Sequence, residues 1–168
     1  MTSLFVLGGA RSGKSRYAQA RAEAMPGELI FIATAQAFDT EMTDRIARHR
    51  ADRDVRWRTV EAPLALPEAI VEYSAPGRVL LVDCLTLWTS NLLLGEHDID
   101  AASAALDRAV IAAPGAVILV ANEVGLGIVP DNALARRFRD HAGLLNQRIA
   151  AAADTVVLVT AGLPLSLK

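Results

Sequence analysis

Gly8-Gly9-Ala10-Arg11-Ser12-Gly13-Lys14-Ser15 follows directly on the apolar run Leu4-Phe5-Val6-Leu7. Together they read as a strand running into G-x-x-x-x-G-K-[ST], a loop that wraps phosphate groups. In that geometry successive backbone N–H groups of Gly9, Ala10, Arg11 and Ser12 form an anion-binding concavity. The helix that follows adds its positive N-terminal end. Gly8 and Gly13 supply backbone freedom and room, Lys14 bridges the β- and γ-phosphates, and Ser15 ligates Mg²⁺. The basic residues reinforce the reading. Fifteen of the 17 are arginine; the two lysines are Lys14 and Lys168. A compact ammonium has thus been kept where a point charge must reach phosphate oxygens. Lys168, the last residue, is expected to be frayed. The implied ligand is a nucleoside triphosphate.

Bulk properties narrow the class. A length of 168 residues suits one domain, 1–168, large enough to bury a real core. A net charge of −2 argues against a nucleic-acid partner held by a broad basic surface. Hydrophobic content is 52%, yet charges and turn residues interrupt each apolar run before it reaches the ~18 residues of a membrane span. The chain enters its first strand at once, so no signal peptide is expected. The single Cys84 excludes an internal disulfide and a multi-cysteine metal site, which fits a reducing cytoplasm.

Strand-like runs, four of them nearly continuous in Val, Ile and Leu, predict strands at Leu4–Leu7, Leu29–Ala33, Arg56–Val60, Val79–Val82, Val117–Ala121 and Val156–Thr160. Helical patterns fall between them, near 14–25, 39–53, 64–74, 86–94, 99–112 and 132–153. This alternation predicts an α/β fold: a P-loop, RecA-like, mostly parallel sheet with helices on both faces, in a single domain. Ligands of such sheets bind beyond the carboxyl ends of the strands, where the phosphate loop, Thr34, Asp83 and Glu123 should emerge.

Leu80-Leu81-Val82-Asp83 ends an apolar strand in an acid, which places a carboxylate beside Mg²⁺ in phosphate-loop folds. Cys84 next to it reads as a small buried hydrophobe, not a nucleophile. In Arg45-Ile46-Ala47-Arg48-His49-Arg50-Ala51-Asp52-Arg53, a spacing of four stacks Arg45, His49 and Arg53 on one helix face. Two flanking guanidiniums bias the imidazole toward its neutral, nucleophilic form.

Further segments extend the pattern: Ile32-Ala33-Thr34-Ala35-Gln36, Glu41-Met42, Trp57-Arg58-Thr59-Val60-Glu61 and Asp83-Cys84-Leu85-Thr86. So do Asn122-Glu123-Val124-Gly125-x-Gly127-Ile128-Val129-Pro130 and Arg136-x-Phe138-Arg139-Asp140-x-x-Gly143-x-x-Asn146-Gln147, with Ala152-Ala153-Asp154 closing the series. From residue 3 to about 163 the chain resembles the bifunctional adenosylcobinamide kinase/adenosylcobinamide-phosphate guanylyltransferase family of cobalamin synthesis.

That resemblance implies two reactions at one site. ATP or GTP donates its γ-phosphoryl group to the aminopropanol hydroxyl of adenosylcobinamide. A histidine then attacks the α-phosphorus of GTP, and adenosylcobinamide phosphate takes the GMP unit to give adenosylcobinamide-GDP. His49 is then the guanylylated residue, with Lys14 serving both steps. The resemblance also places guanosine near Thr34, Ala35, Gln36, Arg50, Ala51, Asp52, Arg53, Glu61 and Asp83. It implies a homotrimer with active sites near subunit boundaries. A carboxylate at Glu61 or Asp83 would accept from guanine N1–H and N2–H. Glu123 faces either the phosphates or the cobinamide, or caps its own loop. Asp131 or Asn132 caps the late helix. Arg136, Arg137, Arg139 and Asp140 form an ion-paired surface or a subunit contact, and His97 and His141 are structural or solvated. The alternative is a simple P-loop small-molecule kinase without the histidine step. A GTPase-like switch lacks its Asn/Thr-Lys-x-Asp segment, because no lysine lies between Lys14 and Lys168.

Overall fold

The computed structural model describes residues 2–35 and 55–168. The six predicted strands form as β1 (Ser3–Gly8), β2 (Glu28–Ala33), β3 (Trp57–Glu61), β4 (Arg78–Asp83), β5 (Ala116–Asn122) and β6 (Thr155–Thr160). A seventh, β7 (Leu163–Ser166), falls outside every predicted run. Pro164 within so short a stretch argues against a central strand, and β7 is indeed an edge strand, where proline is tolerated. It pairs antiparallel with β6 across Ala161 and Gly162, whose φ values of 52° and 80° suit the two-residue turn of a tight hairpin.

The sheet runs β3-β2-β4-β5-β1-β6-β7 and is parallel apart from the β6–β7 pair. β1 lies between β5 and β6, with Val6 opposite Val120 on one side and Val157 on the other. All six of its residues are buried, which is why Leu4–Leu7 is a continuous apolar run. Alternate side chains feed two cores. Phe5, Leu7, Ile30, Ile32, Leu80 and Val82 face one side; Leu4, Val6, Leu29, Phe31, Val79 and Leu81 face the other.

Five helices are formed among the described residues: α1 (Lys14–Glu23), α2 (Leu66–Tyr73), α3 (Leu85–Leu94), α4 (Ile99–Ala112) and α5 (Ala133–Ala152). α1 lays Ala18 and Ala22 on the second core, while Leu66, Ile70, Trp88, Leu106 and Ile149 of the other four build the first. Helices therefore cover both faces, and the boundaries agree with the periodicity to within two residues. The predicted helix at 39–53 lies outside the described residues.

Two contacts close the molecule at the amino end of the sheet. The Ser3 amide and hydroxyl both donate to Asp154 Oδ2, at 2.8 and 2.9 Å, joining the starts of β1 and β6. Lys168 is not frayed. Its Nζ donates to the carbonyls of Ala150, Ala151 and Ala153 at 3.3, 2.9 and 2.6 Å, satisfying acceptors that the end of α5 leaves open.

Candidate nucleotide site

The phosphate loop begins inside β1 and ends in the first turn of α1. Gly13 caps α1 in the left-handed region, at φ 94°, and Arg11 also has a positive φ of 55°. No side chain caps the helix, so its first amides are directed to the loop. Gly8 is needed sterically: a Cβ there would collide with Ser12 Oγ and lie 2.7 Å from the Val159 carbonyl. Lys14 is buried, and its Nζ donates to the Gly9 carbonyl at 3.1 Å, which draws the ammonium back across the loop. The Ser12 hydroxyl is buried with no hydrogen-bond partner among the described residues.

The register lays out the rest of the site. Ala33 pairs with Glu61 on one side and Asp83 on the other, and Asp83 pairs with Val120, which pairs with Val6. These residues form one row across the sheet. Strand alternation sends Glu61, Ala33 and Asp83 to the face covered by α1, the face onto which the phosphate loop leads. At the usual strand spacing, Asp83 lies about 10 Å from β1 and Glu61 about 19 Å from it. Ser15 and Asp83 offer one hydroxyl and one carboxylate, both hard oxygen donors. Among the described residues no group of three His, Cys, Asp or Glu side chains converges on a metal position. So sparse an oxygen set fits Mg²⁺ shared with substrate phosphates and water.

Thr34 turns out to be a clamp. It is fully buried; its hydroxyl donates to the Cys84 carbonyl at 2.7 Å and accepts from the Cys84 amide at 2.8 Å. The Asp83–Cys84 peptide it grips is cis. Asn91, from the uncharged α3, donates to the carbonyls of Thr34 and Pro63 at 2.8 and 2.9 Å. Sequence alone does not single out Asn91; its one signal is an amide inside the uncharged stretch Leu85–Leu94. Thr34 and Asn91 thus fix the junction that carries Asp83, and Ala35 extends beyond it, partly exposed. Burial, then the charge of Asp83, pushes the Cys84 thiol up to about 11, so it stays protonated and unreactive at neutral pH.

Other open readings resolve into structure. Glu123 caps its own loop, with Oε1 accepting from the Gly125 amide at 2.7 Å, while its backbone N–H donates to the Gly8 carbonyl at 3.1 Å. Asn146 reaches the Asn122 carbonyl at 3.3 Å, and Thr86 Oγ1 accepts from the Asn122 amide at 2.7 Å. Asn132 is the cap of α5, accepting from the Ala135 amide at 2.8 Å. Arg136 donates to the carbonyls of Pro130 and Asp131, and Arg139 pairs with Asp140 at 3.3 Å. Trp57 serves α1, donating to Glu23 Oε1 at 3.1 Å and meeting Phe31 edge-on. His97 sits exposed against the Gly95 turn, as a structural or solvated histidine would. Gln36, Arg45, His49, Arg50, Ala51, Asp52 and Arg53 lie outside the described residues, so the geometry speaks to the phosphate-loop half of the site.

A family model described as cobinamide kinase / cobinamide phosphate guanyltransferase matches residues 4–167. The chain belongs to that family. It is 50% identical over 165 residues to the bifunctional adenosylcobalamin biosynthesis protein CobP of Pseudomonas aeruginosa, covering 97% of this chain and 95% of that one. It is 46% identical over 180 residues to the bifunctional adenosylcobalamin biosynthesis protein CobU of Salmonella typhimurium, covering 98% and 99% of the two chains. A solved structure from Pyrococcus horikoshii superposes with a TM-score of 0.58 at 8% identity, over 99% of this chain and 86% of that one, a likeness of fold alone.

Proposed function

We propose that this member of the cobinamide kinase / guanyltransferase family is bifunctional, acting as adenosylcobinamide kinase and as adenosylcobinamide-phosphate guanylyltransferase in cobalamin synthesis. The observation that carries the reading is the family match over residues 4–167, with the phosphate loop at its start. In the first reaction the substrate hydroxyl attacks the γ-phosphorus of ATP or GTP, giving adenosylcobinamide phosphate and the nucleoside diphosphate. In the second, His49 attacks the α-phosphorus of GTP; an N–P bond forms, the bond to the β-phosphate oxygen breaks, and pyrophosphate leaves. A phosphate oxygen of adenosylcobinamide phosphate then attacks the guanylyl phosphorus, and the histidine is released.

The residues divide this work. The loop amides of Gly9 to Gly13 and the Lys14 ammonium hold the β- and γ-phosphates and offset charge on the departing group. Arg45 and Arg53 do the same at the α-phosphorus and keep His49 neutral before attack. A covalent histidine divides one difficult displacement into two easier ones. Ser15 and Asp83 would hold Mg²⁺, which as a Lewis acid neutralises phosphate charge. The row across the sheet supports separate roles for the two acids: Asp83 is close to the phosphate strand, while Glu61 is far enough away to meet the base. Thr34 acts by positioning Asp83, and Ala35, Gln36 and Arg50 to Arg53 complete the guanosine surroundings. No nucleic-acid or membrane partner is part of the reading; among the described residues no helix is long and apolar enough to cross a membrane. A cytoplasmic homotrimer is the proposed working form.

The test is label transfer. The protein is incubated with α-labelled GTP, denatured and exposed to acid or alkali. Acid-labile, alkali-stable label that vanishes in His49→Ala is expected, with γ-phosphoryl transfer to adenosylcobinamide retained in that variant. Label absent from the unsubstituted protein, with γ-transfer intact, would leave only a simple kinase.

A further inference from the structure

The second strand of the β6–β7 hairpin does nothing in the reactions above, yet its turn touches the phosphate loop at both ends. At the start of the loop, the Val159 carbonyl of β6 lies 2.7 Å from where a Cβ on Gly8 would stand. At the end, the Gly162 amide donates to the Ser12 carbonyl at 2.8 Å, and a Cβ on Gly13 would stand 3.3 Å from Gly162 Cα. Residues 8 and 12–13 are therefore held by one short segment, 159–162, from the far end of the chain. Gly162 reaches Ser12 with φ at 80°, a conformation that most side chains resist. Space is not the constraint. The nearest atom to a Cβ at 162 is Arg16 Nη2, at 3.7 Å, the tip of a flexible side chain.

We propose that Gly162 is a positioning residue for the triphosphate site: the β6–β7 turn braces the phosphate loop and presets its amides for anions. Without the Ser12–Gly162 bond the loop keeps its sequence but samples wider conformations, and binding must reorder it. Preorganised donors bind charge better than donors that have to be gathered. The inference rests on the loop binding a triphosphate and is independent of the histidine chemistry.

Three substitutions separate backbone shape from bulk. Gly162→Asn keeps access to the left-handed region, Gly162→Ala strains it, and Gly162→Val strains it most. For each, GTP affinity is measured by calorimetry, thermal stability by circular dichroism, and deuterium uptake by mass spectrometry on peptides spanning residues 8–15. The expected result is a GTP affinity about tenfold weaker in Gly162→Val, faster uptake confined to residues 8–15, and near-normal values for Gly162→Asn. In steady-state kinetics KM for the nucleotide rises while kcat changes little. If Gly162→Val does not fold, Gly162→Ala carries the comparison with smaller effects of the same pattern. Unchanged affinity and uptake, damage by Asn equal to that by Val, or faster uptake throughout the chain would each overturn the brace. Failure of the unsubstituted protein to bind GTP would instead count against the nucleotide reading, and the exchange comparison would still decide the brace.

Discussion

Lys14 combines burial, charge and placement in one side chain. Replacing it with alanine removes a preorganised cation from developing phosphate charge, a change worth about 10²–10³ in rate for comparable donors. Loss of that order in both phosphoryl and guanylyl transfer is expected in Lys14→Ala, with the circular dichroism spectrum unchanged. Asn91 tests the opposite kind of residue, one that acts through Thr34 and Asp83. Asn91→Ala strands one buried and one partly buried carbonyl and should cost about 2 kcal/mol, lowering Tm by about 4–8 °C for a chain of this size. Cys84 gives a pH signature. Its thiol pKa is raised from 9.0 to about 11, so the folded chain keeps a proton that the unfolded chain releases. The stability this supplies is complete below pH 9.0, erodes above it and is lost through about 11. The Tm difference between the unsubstituted protein and Cys84→Ala should be constant below pH 9 and shrink between those values. Phosphate-loop residues were legible because their chemistry demands particular types at fixed spacing. Thr34 and Asn91 were harder to read, since a hydroxyl contacting a backbone 50 residues away leaves no local periodicity.

At the scale of elements, continuous apolar runs identified the buried parallel strands, and the helices between them followed from periodicity and loop length. β7 escaped because Leu163-Pro164-Leu165-Ser166 is wholly exposed, so no apolar run distinguishes it. The Ala161-Gly162 turn is a weaker hairpin signal than Asn-Gly. Lys168 escaped for a related reason: a terminal lysine carries no hint that three carbonyls await it. Asp131 and Asn132 suit the helix cap equally by residue type, and only the fold puts Asn132 there. Asn132→Ala should cost about 1 kcal/mol, read as a Tm lower by about 2–4 °C. Lys168→Ala should lower Tm by less, since a cation at a helix end typically contributes about 0.3–1 kcal/mol. Charge screening offers the check: added salt should narrow the Lys168→Ala difference and leave the Asn132→Ala difference unchanged.

For the whole molecule, the order of strands in space is far from their order in sequence. β1 is written first, yet its two neighbours are β5 and β6, more than a hundred residues later. Strand order was not legible from composition or periodicity, because pairing between distant segments depends on the three-dimensional path. On a ribosome, the segment carrying Gly8 to Ser15 emerges early and must wait, unseated, until Thr155–Thr160 has been translated and cleared the exit tunnel. Nascent chains stalled before that point should fail to retain a GTP analogue, and those stalled with Thr155–Thr160 clear of the tunnel should capture it. The phosphate-gripping loop is thus seated only once a strand made about 150 residues after it is in place, so copies that stop short of β6 do not sequester nucleotide.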